Sequence, residues 1–386
     1  MRRRAADAGL DDAERVAMAA VKAVARQEAS PAILVPRPRA GAWPRVPLQR
    51  WVLNGGAELD WVDTGGCALA VTRVAPPLVA EHTYITALRM GWFDYAAHEL
   101  GPATAAGRAM RGAGAVAGWL GLDRAVLVGN EPVSTNNRSA RQQAALATVC
   151  AAEADAFRDR HVGVRNLTPE FHAPLMERLS AQGFVMLPAR VVYVYDARRA
   201  LLRATSHLKR DRALLRRSGL EPQMLEALTP GEALHIRQLY DAVYLDRHCR
   251  LNAQYTAAFF RETVDSGAMR CLVLRDGEGE IRAFALLQQA GDVLTAPAVG
   301  YDTARPEAGY YRQLVAALLG HVERERLLLN YSAGAGDFKR KRGGVPMMDY
   351  TALRAPATAR LRPWLYAAIA RQVAGLGVDD LIARGA

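Results

Sequence analysis

The sequence predicts an α/β (α+β) protein made of two tandem units of one kind, each a mixed central sheet flanked by helices. Three observations carry this expectation. The 386 residues give room for two domains at roughly 100–200 residues each. Short apolar runs of strand type alternate with longer stretches of helical periodicity. One order of elements (hairpin, strand, helix, strand and a final strand) recurs on either side of about residue 197.

Residues 1–44 read as an appendage, an amphipathic helix over 12–27 followed by a linker broken by Ser30-Pro31 and Pro36-Arg37-Pro38. The first unit spans 45–196. Strands over 59–63 and 67–74 are joined by a Thr64-Gly65-Gly66 turn, and 95–121 is Gly/Ala-rich and helical in parts. A buried strand over 124–129 precedes a long helix over 139–160 with Ser139 as its cap. Strand 163–167, helix 169–182 and strand 184–195 complete the unit. The second unit, 197–357, opens on a basic helix over 198–217. Its stripe of Leu201, Leu202, Leu208, Leu214 and Leu215 gives it a buried side, and Gly219 ends it. A strand over 220–228, helices over 230–247 and 253–266, and a hairpin of 270–275 with 281–289 follow. Then come strand 292–301, helix 309–325, strand 327–332 and a last strand over 347–353, with C-terminal helices in 358–386 around 364–376.

Composition excludes several classes. With 51% apolar and 23% charged residues the chain can build a sizeable core, which excludes wholesale disorder. No apolar run approaches the roughly 18–20 residues of a membrane-spanning helix. Asp7, Asp11, Asp12 and Glu14 stand where a signal peptide would be apolar. Cys67, Cys150, Cys249 and Cys271 lie far apart, and the histidines show no HxH or HExxH spacing. No disulfide framework and no metal is therefore expected, and the compartment expected is the cytoplasm.

Charge is the unusual bulk property, at +11. Segment 198–217 carries +7, with Asp211 its one acid, and Lys339-Arg340-Lys341-Arg342 carries +4, so these two clusters equal the excess of the whole chain. Charge runs are often plain solvated faces. Two clusters that hold the entire excess point instead to a polyanionic partner: a nucleic acid, a nucleotide-linked substrate or a coenzyme phosphate.

The hairpin–strand–helix–strand order resembles the GNAT acyltransferase fold, and two copies in tandem resemble the Fem-type (FemAB-like) aminoacyl-tRNA-dependent transferases. Two local stretches carry the likeness. Ser206-His207-Leu208-Lys209-Arg210-Asp211-Arg212, running on to Arg216-Arg217-Ser218-Gly219, looks like the basic helix that opens the second unit in that group. The stretch from Tyr331 through Phe338-Lys339 to Gly343-Gly344 looks like its strand-end aromatic–Lys turn. The resemblance implies transfer of an aminoacyl group from aminoacyl-tRNA to an amine of a small-molecule or cell-wall-precursor acceptor, with no further cofactor. The helical arm of some Fem proteins is absent. The alternatives are a GNAT-like N-acyltransferase using acyl-CoA or acyl carrier protein, and a non-catalytic RNA- or nucleotide-binding protein.

The pyrophosphate loop of coenzyme-A-dependent GNAT enzymes is not matched. Residues 301–312 hold a single glycine, Gly309, with Tyr310 and Tyr311 beside it and Glu307 at the helix start, and 129–138 also lacks the pattern. For amide formation a fixed cation beside the ester stabilises the oxyanion. The resemblance puts Lys339 in that role and Phe338 against a terminal base; the other reading of Lys339 is a surface turn cap. Arg340, Lys341 and Arg342 are candidates for phosphate contacts or solvation, and Lys209, Arg210, Arg212, Arg216 and Arg217 for a phosphate groove. Asp246 or His248, between two helices, is a candidate to take the proton of the incoming ammonium, or is part of a plain polar loop. Tyr255, Tyr301 and Tyr311 are candidates to orient a substrate, or core residues.

Overall fold

A computed structural model describes residues 42–74, 82–198 and 205–358. The expected helices over 12–27 and 364–376, and Leu201 and Leu202, lie outside those residues.

Among the described residues, eleven strands form one sheet. In the first half β1 (Ala57–Asp63) and β2 (Ala68–Val74) make the expected hairpin. Thr64 closes its turn, donating N–H and Oγ1 to the Cys67 carbonyl at 3.0 and 2.9 Å, with Gly65 at φ 75°. Helices α1 (Tyr95–Glu99) and α2 (Ala105–Trp119) lead to the wholly buried β3 (Val126–Val128). Ser139 caps α3 (Ala140–Ala156) in a reciprocal pair with Gln142, and the helix stops short of 160 where Phe157 leaves helical geometry. Then come β4 (Val162–Leu167), α4 (Pro169–Ala181) and β5 (Val185–Asp196).

Basic helix α5 (Ser206–Arg217) opens the second half, and Gly219 at φ 74° takes the left-handed position that ends it. Strand β6 (Glu221–Leu225) is one edge of the sheet, the position where a proline such as Pro222 is tolerated. Helix α6 (Pro230–Tyr244) starts on a Thr229–Glu232 capping box and α7 (Ala257–Asp265) follows. Next are β7 (Arg270–Arg275), β8 (Ile281–Ala290), β9 (Val293–Tyr301), α8 (Tyr310–Arg324) and β10 (Leu328–Asn330). The strand-end stretch read as a turn contains a short helix, α9 (Gly336–Arg340), before β11 (Val345–Arg354).

Hydrogen bonding shows the duplication. The strand order is β1-β2-β3-β4-β11-β5-β10-β9-β8-β7-β6. Read outward to inward, β1-β2-β3-β4-β11 pairs antiparallel, antiparallel, parallel, antiparallel. The series β7-β8-β9-β10-β5 repeats those senses. The two halves of the described residues therefore match as the two-unit expectation requires, each receiving beside its parallel pair the last strand of the other. Strands β5 and β11 pair antiparallel at the centre, Arg190 opposite Asp349. The N-terminal stretch also crosses over: fully buried Trp51 packs edge-on against Phe259 and donates Nε1 to Glu262 at 2.8 Å.

Candidate functional site

Register decides where the site lies. Strand β4 pairs with β11 from Arg354 toward Tyr350 as it runs to its C-terminal end. Strand β10 runs down β5 from Asp196 to Val194, and Tyr331 and Ser332 extend it past Tyr193. Both parallel pairs thus end facing the middle of the sheet, at Arg190 and Asp349. In open α/β sheets strand ends of this kind are where ligands gather.

A buried polar seam joins the two ends. Arg190 donates Nε to Asp349 Oδ2 at 2.9 Å and Nη2 to the Ser134 carbonyl and Thr135 Oγ1, each at 2.9 Å. The Thr135 and Ser332 hydroxyls share a 2.7 Å hydrogen bond across the halves. Asn166 donates Nδ2 to Asp349 Oδ2 at 2.9 Å and accepts from the backbone and side-chain amides of Asn136 at 3.0 and 3.1 Å. Asp349 Oδ1 and Asn136 Oδ1 are buried with no hydrogen-bond partner. Sequence reasoning missed these residues. The available signal was a charged residue in the middle of an apolar strand, Arg190 in one and Asp349 in the other, and the polar run Ser134-Thr135-Asn136-Asn137.

Lys339 stands at the second strand end. It is 5% exposed, so it is not a surface cap. Its Nζ donates to the carbonyls of Tyr331, Ser332 and Ala333 at 2.9, 3.1 and 2.7 Å, which uses all three ammonium protons. Burial, with the Arg190 guanidinium adding to it, draws the ammonium down to about 7. The carbonyls it gathers belong to a bent segment in which Ser332 and Ala335 hold φ of 63° and 51°, left-handed values that non-glycine residues seldom adopt. Beside Lys339, Phe338 is half-buried, its ring 4.8 Å from that of Tyr311 and 3.4 Å from the Arg342 guanidinium carbon. Tyr301 extends this row of rings at 5.6 Å from Tyr311.

Basic helix α5 has two different faces. Asp211, 1% exposed, accepts Arg342 Nε at 2.5 Å and Arg312 Nε at 2.7 Å. Arg342 is itself 5% exposed, so it is an internal anchor and not a solvent-facing cation. Arg212 is ion-paired to Glu323, which also accepts the Tyr195 hydroxyl at 2.6 Å. Lys209, Arg210, Arg216 and Arg217 are exposed, with no acidic partner among the described residues. Their spacing of one and seven residues keeps them on one helix face. Lys341 is exposed and Arg340 half-buried, both near Asp337 at 3.6 and 3.2 Å.

The remaining candidates lie elsewhere. Tyr255 is 2% exposed, stacked at 4.0 Å on Phe259, and donates its hydroxyl to the Pro132 carbonyl at 2.9 Å, which makes it part of the core between the halves. Asp246 and His248 are exposed in the loop after α6 and share no hydrogen bond or ion pair with Lys339. At the start of α8, Gly309 lies against Leu214 of α5 and Arg312 is tied to Asp211, while residues 304–307 of the preceding turn are exposed. Among the described residues no group of three or more His, Cys, Asp or Glu could hold a metal ion, and no helix is long and apolar enough to cross a membrane.

No protein family and no curated protein matches the chain. Solved structures resemble it at low identity. L-PGS from Bacillus licheniformis is 14% identical, with 82% of this chain and 90% of that one covered and a TM-score of 0.49. FemX is 8% identical, with 79% and 88% covered and a TM-score of 0.45. A GCN5-related N-acetyltransferase from Kribbella flavida is 16% identical, with 61% and 82% covered and a TM-score of 0.33. The chemistry of this chain rests on its own residues.

One of those residues gives a pH prediction. Glu131, in the loop after β3, is 1% exposed and neither carboxylate oxygen has a hydrogen-bond partner. Burial raises it from 4.5 to about 7, and Arg138 opposes the rise. The folded state therefore binds the proton more tightly. The stability this adds is complete below pH 4.5 and is lost as pH rises through about 7. Glu131→Gln is expected to flatten the stability curve across that window, removing a fall of about 3 kcal/mol between pH 4.5 and pH 8. Urea denaturation at pH 4.5 and pH 8 measures it.

Proposed function

We propose that this protein is an amide-forming acyltransferase that moves an aminoacyl group from aminoacyl-tRNA to the amine of a small-molecule or cell-wall-precursor acceptor. The observation that carries the reading is the division of α5. Its inner face is clamped through Asp211 to Arg342, three residues beyond Lys339, while its outer face presents four cations with no acidic partner among the described residues. Phosphates held along the outer face bring a terminal ester toward the strand end that Lys339 organises. Residues 301–312 hold a single glycine where a pyrophosphate loop needs several, which favours this donor over acyl-CoA.

In the reaction the acceptor nitrogen attacks the ester carbonyl, a C–N bond forms, and the C–O bond to the ribose breaks. The ammonium proton must leave before attack, and the ribose oxygen gains a proton as it departs. Asp349 Oδ1 and Asn136 Oδ1 suit the acceptor ammonium, since both are buried acceptors without a donor. Lys339 stabilises the oxyanion, a stronger acceptor than the carbonyls it holds. Asp246 and His248, on an exposed loop, remain candidates for carrying the proton to solvent.

Binding to charged tRNA tests the donor side. With four phosphate-facing cations, the log of the affinity is expected to fall with log salt at a slope of about −3, and Arg216→Ala with Arg217→Ala to make the slope shallower by about 1.5. Filter binding between low and physiological salt measures this. A slope unchanged in the double variant contradicts the assignment of this face.

A further inference from the structure

A cavity of about 280 Å³ opens on the outer face of the second half, between the C-terminal parts of α5 and α8, the edge strand β6 and its neighbour β7. It is separate from the polar seam and from Lys339. Its floor is apolar, from Leu215, Met224 and Leu272, and its rim carries Arg212, Arg216 and Arg324. Arg216 and Arg324 are exposed with no acidic partner among the described residues, whereas Arg212 is shared with Glu323. Two further observations describe the wall. His321, a wall residue only 7% exposed, buries Nε2 without a hydrogen-bond partner. Glycine is disfavoured inside a helix, yet Gly320 lines this cavity within α8. The only neighbour its missing Cβ would meet is Arg324 Nη1, at 3.7 Å.

We propose that this cavity binds a small anionic amphiphile, one carboxylate or phosphate head on a short alkyl or aryl body. The arginine rim takes the head and the apolar floor takes the body. The volume lies just under the ~300 Å³ at which pockets for drug-sized ligands begin, so the body is one ring or a short chain. A neutral ligand would leave the clustered arginines without a counter-charge, and a bare inorganic anion would leave the floor in water.

Titration of the full chain with octanoate and with octyl phosphate, followed by calorimetry and by the imidazole NMR signals, tests the site. Octanol is the uncharged control. Saturable one-to-one binding of an anion is expected, with a shift of the His321 signal and at least about tenfold weaker binding of octanol. Comparison of the two anions identifies the preferred head. Gly320→Leu, which fills the cavity where a side chain has room, is expected to weaken binding at least about tenfold. Arg324→Ala, an exposed change that keeps the test open should the leucine variant misfold, is expected to weaken it about three- to tenfold. Absence of saturable binding by both anions, octanol binding as tightly as they do, or binding unaltered in both variants would overturn the proposal. Neither variant touches Lys339 or the four cations of α5 assigned to tRNA, so failure of anion binding and failure of aminoacyl transfer are distinguishable.

Discussion

Lys339→Ala is expected to lower turnover by at least about 100-fold, the loss typical of removing one preorganised oxyanion donor. The same change withdraws the donor from the carbonyls of Tyr331, Ser332 and Ala333. The Tyr331 carbonyl lies in the interior, while Ser332 and Ala333 are half-buried and can gain water. A stability cost of about 3 kcal/mol is therefore expected. The left-handed Ser332 and Ala335 lose the contact that holds their segment in place. Affinity for tRNA is expected to fall only several-fold, because the exposed cations of α5 are untouched. Single-turnover transfer and thermal melting on the same preparation separate the two effects. Full turnover in a destabilised variant would leave Lys339 a purely structural role.

Asp211→Ala is the second large effect, and here it falls on the fold. Two guanidinium groups lean on this carboxylate, and the variant leaves Arg342 as a buried cation without its partner. Removing one member of a buried pair typically costs about 3–5 kcal/mol. Arg217→Ala, on the exposed face of the same helix, is expected to stay within about 0.5 kcal/mol. Urea denaturation of the two variants gives the contrast. A mild Asp211→Ala would mean that α5 is not anchored through this group.

The contrast also shows what was legible in the sequence. Apolar periodicity placed the strands and most helix ends, because burial and capping are local demands: Ser139, Thr229 and Gly219 stand where helix ends need them. The exchange of β5 and β11 was not legible, since an apolar strand shows that it is buried without showing which strand it pairs with. The charge count located the basic clusters but treated their members alike. Asp211, entered there as a subtraction, is the group that binds the helix to the protein, and Arg342 turns inward while Lys341 stays exposed. Which members of the four-cation run are buried, Lys339 and Arg342, depends on α9, a helix of five residues too short for periodicity to reveal. The seam of Arg190, Asp349, Asn166 and Thr135 draws on strands and loops far apart in sequence, so no motif contains it.

The central claim is that the acyl group arrives as an ester on tRNA. Its most direct test is release of labelled amino acid from a charged tRNA pool by the purified protein in the presence of an amine mixture, with acyl-CoA and acyl carrier protein as parallel donors. Label passing from tRNA into an alkali-stable amide, and lost in Lys339→Ala, is the result predicted. Label remaining on tRNA while acyl-CoA or acyl carrier protein is consumed would contradict it.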